Sequence, residues 1–449
     1  MGKVRFILSI WVCKLLILAG QIAGKKSSAT PGVYALKICP DVLRILSKQV
    51  KYKTIAVCGT NGKTTTNNTI YKILSDKGYK VCCNRVGANM LSGIVTAFCE
   101  SANLFGKLDA DYASLEMDEA YSVKIFDHLI PDIMVVTNLF RDQLDRYGEV
   151  EVTASYLKKA LSKSENIELV INGDDPICLT VGKSHKKVRT FGISEASEMK
   201  FDKTSECQFC PECKEELKYN YRHYSQLGDF YCDNCGYKRE KIDYEATNID
   251  VSKNLKFTVN NKINIDVSYR GFYNIYNILS AMAVCDICEI PMEEINGILA
   301  SYKPQIGRME QFDLNKPVIL NLAKNPAGFN QAIYTVMADE RKKDVLLGLN
   351  NNETDGVDIS WIWDVEFEKL KDESINSLGC VGMRGKELAL RLKYADVDKN
   401  NITYSVLKNA IYDMLKKDGE VLYILVNYTV IFEAQAILKS IEEEMKNEH

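Results

Sequence analysis

The sequence predicts an α/β protein. It has a central domain built on a parallel sheet and a P-loop, interrupted by a zinc ribbon, and then a smaller α/β C-terminal domain. Three observations predict this. From about residue 52, short β-branched apolar runs alternate with longer amphipathic segments, the pattern of βαβ units around a buried sheet. A glycine turn carrying Lys63 follows the first of those runs. Two Cys-x-x-Cys knuckles stand near the middle of the chain.

The 449 residues suffice for two to three domains at about 150 residues each. With 46% hydrophobic and 26% charged residues, the composition is ordinary for a globular protein and excludes disordered and collagen-like classes. With 57 Lys and Arg against 60 Asp and Glu, the formal charge is −3, and no nucleic-acid partner is expected. Fifteen cysteines, an odd count, fit poorly with a full disulfide framework. They point to a reducing cytoplasm, with thiols free or on metal.

Met1 to Arg5 is basic and Phe6 to Ala19 is nearly all apolar, as in an export signal. Lys14 divides that run into blocks shorter than the roughly 20 residues needed to span a bilayer. The expected element is therefore a helix packed on the body, or lying against the inner face of the membrane in a cytoplasmic protein. The expected division is residues 1–50 for this helix and its lead-in, 51–310 for the central domain, and 311–449 for the C-terminal domain. The insert falls at about 201–240, and the boundary near Gly307-Arg308-Met309-Glu310.

The strand-like run Thr54-Ile55-Ala56-Val57 leads into Gly59-Thr60-Asn61-Gly62-Lys63-Thr64-Thr65-Thr66 and then a helical segment, Asn68 to Lys77. In that context the glycines let backbone N–H groups converge on phosphate oxygens at the positive end of a helix. Lys63 would reach the β- and γ-phosphates of ATP, and the Thr64 hydroxyl would take a Mg²⁺ position. The spacing is the short form G-x-x-G-K-T, because position 57 is Val57 rather than glycine. A glycine-rich turn with a chance lysine is the plainer alternative.

This short loop resembles that of Mur ligases and folylpolyglutamate synthetases, and further segments match that superfamily in order. Leu115-Glu116-Met117-Asp118-Glu119 ends a strand with a carboxylate suited to Mg²⁺. Thr137 to Asp145 resembles the family's T-N-x-x-x-D-H-L-D, and Asn274-Ile275-Tyr276-Asn277 its N-x-x-N nucleotide contact. Gly307-Arg308-Met309-Glu310 resembles the G-R-x-E hinge, whose arginine approaches the transferring phosphate. The resemblance thus implies nucleotide contacts at Gly59, Thr60, Asn61, Gly62, Lys63, Thr64, Thr65, Asn274, Asn277 and Arg308, with Mg²⁺ on Thr64 and Glu116. Two departures narrow it. Gln143 replaces a metal-holding histidine, while Asn321 and Lys324 replace the Asp and His of D-Y-A-H-N-P. The second metal site and amino-acid handling of ordinary Mur ligases are not implied.

Cys207-x2-Cys210-x2-Cys213 is followed, 18 residues on, by Cys232-x2-Cys235. Two such knuckles read as a zinc ribbon. Five cysteines compete for four positions. Cys210, Cys213, Cys232 and Cys235 pair naturally, leaving Cys207 over. Residues 201–240 hold six Lys and Arg against eight Asp and Glu, not a nucleic-acid footprint, so the expected role is structural.

The run Asn350 to Asp364 holds two of the three tryptophans beside three aspartates, after a strand-like segment. An Asx-rich loop capping a helix is one reading. The run also resembles the D-G-x-D-x-S-W-x-W-D signature of the MurT family, the ligase-like subunits of complexes that amidate the peptidoglycan stem peptide. The ribbon, Gly382-Met383-Arg384, Leu390 to Ala395 and Tyr428-Thr429 fit the same family. The resemblance implies ATP-dependent conversion of the D-glutamate α-carboxylate of lipid II to D-isoglutamine, using ATP, Mg²⁺ and a structural Zn²⁺. It also implies ammonia from a GatD-like glutaminase partner, whose catalytic histidine a loop aspartate would orient. By motif position that aspartate is Asp355, with Asp358 the alternative. None of the four histidines lies in these motifs apart from His223 in the insert, as expected if the partner carries the Cys and His. The competing readings are a stand-alone Mur or folylpolyglutamate-type ligase using an amino acid, and a nucleotide-binding scaffold.

Overall fold

The computed structural model describes residues 2–22, 28–84, 88–142, 149–183, 185–196, 207–252, 254–268, 271–301, 307–398 and 402–447. Its first sheet contains β1 (Lys53–Cys58), β2 (Val81–Cys83), β3 (Tyr112–Glu116), β4 (Ile133–Val136), β5 (Glu168–Asn172) and β6 (Val188–Ile193). After a separate hairpin of β7 (Lys218–Tyr224) and β8 (Leu227–Tyr231), it continues with β9 (Tyr244–Asp250), β10 (Leu255–Val259) and β11 (Ile263–Val267). The order is β11-β10-β9-β6-β5-β4-β1-β3-β2. The strands from β2 to β9 pair in parallel, whereas β9, β10 and β11 pair antiparallel, so the expected parallel sheet is completed by an antiparallel edge.

The apolar runs that betrayed the sheet are buried on both faces. Alternation along β1 sends Ala56 and Cys58 into one core and Ile55 and Val57 into the other. β1 lies between β3 and β4, although the chain passes through β2 and β3 before reaching β4. Such a reversal opens a crevice at the carboxyl ends of the strands.

The second sheet contains β12 (Glu310–Asp313), β13 (Pro317–Leu322), β14 (Lys343–Gly348), β15 (Ile375–Val381), β16 (Ile402–Tyr404) and β17 (Val421–Val426). Its order is β12-β13-β17-β14-β15-β16, parallel except at β12. The late strand β17 therefore sits between β13 and β14, and the segments leaving β14 and β17 emerge side by side.

The expected N-terminal helix is present and packs on the body, but Lys14 does not cut its apolar stretch below membrane-spanning length as expected. Gly2–Ile22 is one continuous helix of 21 residues. Among the described residues it is the one helix long and apolar enough, by length and composition, to cross a membrane. Lysine is a good helix former, and its ammonium reaches sideways to donate to the Glu100 carbonyl at 2.7 Å. Phe6, Ile10 and Cys13 pack into the first core.

Candidate functional site

The phosphate loop lies at the carboxyl end of β1. Gly59 and Gly62 have φ of +121° and +85°, which glycine adopts without cost. A Cβ at either would come within 2.2 Å of a neighbour, Thr137 Oγ1 for Gly59 and Asn277 Oδ1 for Gly62. The helix begins at Lys63, not at Asn68, and runs to Asp76. Its first turn thus holds Lys63, Thr64 and Thr65 against the loop. The segment after β4 braces it. Asn61 N–H donates to Asn138 Oδ1 at 2.9 Å, Thr60 N–H to the Asn138 carbonyl at 2.8 Å, and the Thr137 hydroxyl to the Asn61 carbonyl at 2.7 Å.

Acidic groups face this loop from the end of β3. The Thr64 hydroxyl donates to Glu116 Oε2 at 2.8 Å, so the two oxygen ligands expected for Mg²⁺ are adjacent. Asn89 donates to the other Glu116 oxygen at 3.3 Å. Glu119, for which the sequence suggests no role, reaches into the glycine loop itself. Its Oε1 accepts from the Gly59 N–H at 2.7 Å and from Lys63 Nζ at 2.9 Å. The carboxylate thereby occupies the donors that a nucleotide phosphate would use. Burial pushes the Glu119 carboxyl up. Burial also pulls on the Lys63 ammonium, but the Glu119 and Glu116 charges outweigh it and hold Lys63 firmly protonated.

Asn274 and Asn277 open the helix Asn274–Ile287, with Asn277 Nδ2 bonded to Asn274 Oδ1 at 3.0 Å and the Asn277 oxygen beside Gly62. Arg308 is half-buried at the start of the second sheet, its charge acting on the neighbouring Tyr273 phenol, which burial pushes up. The second sheet also touches the loop directly. Asn61 and Asn325 exchange side-chain hydrogen bonds at 3.1 and 3.3 Å, and Lys324 pairs with Asp142. Asn321 accepts from the Met309 N–H at 3.3 Å. Gln143 lies outside the described residues.

Asp355 and Asp358 sit on the loop after β14, and the structure treats them differently. Asp355 is only 5% exposed. It accepts from the Thr429 N–H at 2.8 Å, the Thr429 hydroxyl at 2.6 Å and Asn352 Nδ2 at 3.3 Å. Thr429 follows β17, so strand adjacency builds this clasp. Asp358 is exposed and caps Ser360 through its N–H and hydroxyl at 2.8 and 2.9 Å. Exposed apolar side chains, Val357, Met383, Tyr428 and Phe432, belong to the segments around Asp355. Burial pushes the Tyr428 phenol up, and both Glu116 and Asp355 add to it, so the two carboxylates share this neighbour.

The ribbon cysteines come together as expected. The sulfurs of Cys210, Cys213, Cys232 and Cys235 all lie within 4.8 Å of one another, with Cys210–Cys235 at 3.6 Å and Cys213–Cys232 at 3.5 Å. Sulfurs about 2.3 Å from a tetrahedral zinc stand about 3.8 Å apart, so this set could hold one. Cys207 is outside the cluster and donates to the Phe209 carbonyl at 3.3 Å. His223, on β7, is buried against Phe272 and Tyr276, and burial pushes its imidazole down.

The ribbon is not a self-contained insert. Gln226 in its hairpin turn donates to the Leu139 carbonyl at 2.7 Å, directly beyond the Asn138 that braces the phosphate loop. Arg239 bonds Asp174 at 2.7 Å, and Tyr237 bonds the Pro176 carbonyl at 2.6 Å. Removing bound zinc by chelation is therefore expected to lower the melting temperature and weaken ATP binding together. Calorimetry and nucleotide titration check this. Verified metal loss with both unchanged would contradict a structural role.

Two family descriptions match the chain, the Mur ligase middle domain over residues 57–285 and the MurT ligase C-terminal domain over 322–431. Among curated relatives, the lipid II isoglutaminyl synthase (glutamine-hydrolyzing) subunit MurT of Staphylococcus aureus N315 is 36% identical over 392 residues, covering 87% of this chain and 88% of that protein. The protein of the same description from Streptococcus pneumoniae R6 is 33% identical, covering 94% and 96%. Among solved structures, a pseudomurein peptide ligase type C from Methanothermus fervidus aligns with a TM-score of 0.69 at 22% identity over 88% of this chain and 80% of that one. MurF ligase from Thermotoga maritima in complex with ADP aligns at 0.66 and 14% identity over 92% and 85%. These structures share the fold. At this identity and coverage, with both halves matched in order, the chain belongs to the MurT family of Mur ligase-like proteins.

Proposed function

We propose that the chain is the ATP-dependent synthetase subunit of a lipid II isoglutaminyl synthase. It amidates the D-glutamate α-carboxylate of the stem peptide to D-isoglutamine, with ammonia from a GatD-like glutaminase subunit. The observation that carries this is the combination on one chain of an ATP-type phosphate loop and a clasped aspartate, Asp355, with no histidine in the sheet that bears it. A glutaminase needs a Cys nucleophile and a His base. An aspartate held ready with no histidine in its sheet is suited to completing a triad across an interface. Asp355 fits that role better than Asp358, because Thr429 beyond β17 holds it in one orientation, whereas Asp358 is exposed and caps Ser360 two residues along its own loop.

In this reading the carboxylate oxygen attacks the γ-phosphorus of ATP, ADP leaves, and the stem peptide becomes an acyl phosphate. Ammonia then attacks the carbonyl carbon, the C–O bond to phosphate breaks, and amide and hydrogen phosphate result, the proton lost from nitrogen passing to the phosphate. Lys63 exchanges Glu119 for phosphate oxygens, the loop N–H groups and Arg308 bear on the transferring group, and Asn274 and Asn277 position the nucleotide. Thr64 and Glu116 are the oxygen donors that would hold Mg²⁺, which supplies charge neutralisation. Zn²⁺ belongs to the four ribbon cysteines. In this reading the enzyme works in the cytoplasm, peripheral at the inner membrane face where a lipid-linked substrate resides.

The chain incubated with ATP, lipid II and ammonium is expected to form the amide alone, and to use glutamine only when the glutaminase subunit is added. Ligation of an amino acid in place of ammonia would establish a stand-alone peptide ligase instead.

A further inference from the structure

The outer face of the helix Gly2–Ile22 is an uncovered apolar stripe. Val4, Leu8, Trp11, Leu15, Leu18 and Ile22 are 46–80% exposed. Their spacing of four, three, four, three and four residues stacks them on one side of a helix. The residues buried against the body, Phe6, Ser9, Ile10 and Cys13, lie on the opposite side. Trp11 Nε1 donates to the Leu104 carbonyl at 2.7 Å, which brings a second element, the loop tip with Phe105 at 84% exposure, to the edge of the stripe.

Charge says what covers this face. The first 40 residues hold six of the chain's 57 Lys and Arg and none of its 60 Asp and Glu, in a protein of net charge −3. Lys3 and Lys14 flank the stripe on one side at helical spacing and Arg5 on the other. We propose that this face docks on an anionic lipid bilayer, the helix lying in the interface with its stripe and Phe105 inserted and its cations among the headgroups.

The helix lies on the bilayer rather than through it. Ile10 and Cys13 are fully buried in the protein core, and Arg5 and Lys14 donate to the carbonyls of Ile38 and Glu100 at 2.9 and 2.7 Å. A second copy of this chain is a poorer occupant, because a two-fold pairing of these helices sets cations against cations with no carboxylate on either. The purpose of such a surface rests on the lipid-linked substrate proposed above; the surface itself does not.

The test is co-sedimentation of the full chain with vesicles, without nucleotide or glutaminase, so its failure leaves the amidation reading standing and the converse also holds. Binding to phosphatidylcholine vesicles containing phosphatidylglycerol is expected, with weakening at high salt, little binding to phosphatidylcholine alone and a blue shift of Trp11 fluorescence. The combined substitution Leu8→Gln, Leu15→Gln and Phe105→Ser should reduce binding roughly tenfold or more, while the melting temperature and ATP affinity stay unchanged. Lys3→Gln with Arg5→Gln and Lys14→Gln, the three cations beside the stripe, should remove the preference for anionic lipid. Absence of vesicle binding, or equal binding by the stripe variant, would overturn the proposal. So would a dimer that the stripe variant abolishes in the absence of any vesicle binding.

Discussion

Lys63→Ala is expected to lower ATP-dependent amidation by a factor on the order of 10³, whether ammonia comes from glutamine or from free ammonium. Lys63 is the one cation inside the loop, and its ammonium is held there by Glu119 Oε1 at 2.9 Å. Its removal takes away charge stabilisation of the transferring phosphate and leaves the buried Glu119 without a cation, held by the Gly59 N–H. A buried carboxylate that loses its partner is costly unless it takes up a proton, and burial already raises the Glu119 carboxyl. The companion variant Lys63→Ala with Glu119→Gln separates the two effects. It should recover any lost melting temperature but not activity. Glutaminase binding, measured by titration with the partner, should be intact in both. Recovery of amidation in the double variant would mean that the lysine serves the fold and not the phosphate.

Asp355→Asn is expected to act on the other reaction. Glutamine hydrolysis by the complex should fall on the order of 10⁴-fold, the scale seen when the carboxylate orienting a catalytic histidine loses its charge. Amidation from free ammonium should be near normal. The amide oxygen can keep the Thr429 N–H bond, while the amide nitrogen forfeits the bonds that the Thr429 hydroxyl and Asn352 donate to the carboxylate, so a lowered melting temperature is expected beside the lost hydrolysis. Asp358→Asn should leave hydrolysis almost unchanged, since that exposed side chain caps its own loop at Ser360 and is not fixed by Thr429. The reverse outcome would move the triad position by three residues. Loss of both reactions in Asp355→Asn would mean that the loop supports the second sheet rather than the partner's histidine.

What could be read from the chain in advance was local. The loop Gly59 to Thr66 is contiguous, and each of its residue types has a reason to stand where it does. The helix start was less legible, because Thr64, Thr65 and Thr66 are weak helix formers. The requirement that Lys63 and Thr64 present themselves from a first turn overrides their propensity. The ribbon ligands were legible from spacing, but the attachment of the hairpin to Leu139 through Gln226 was not. That contact joins residues 87 positions apart and leaves no periodic trace.

Glu119 marks the same limit. It stands beside the motif aspartate Asp118, which caps the helix Glu119–Ile125, and ordinary capping accounts for an acidic residue there. Only the folded chain brings its carboxylate to Gly59 and Lys63. The bonds of Asn61 with Asn325, and of Asp142 with Lys324, likewise join segments far apart in sequence. They put Lys324 at the loop's edge, where the sequence offered only a departure from a familiar pattern. Lys14 misleads for a different reason. Counting a lysine as a break in an apolar run ignores its long stem, which carries the charge off the helix while the backbone continues.

The proposal that this chain activates a carboxylate for ammonia made by another subunit is tested most directly with amide-¹⁵N glutamine. The chain and its glutaminase subunit are combined with ATP and lipid II, and the stem peptide is read by mass spectrometry. The expected product carries ¹⁵N in the D-isoglutamine amide, with one ADP formed per amide, and excess unlabelled ammonium dilutes the label. Formation of a peptide bond to intact glutamine or another amino acid, or an unaltered stem peptide despite ATP turnover, would contradict it.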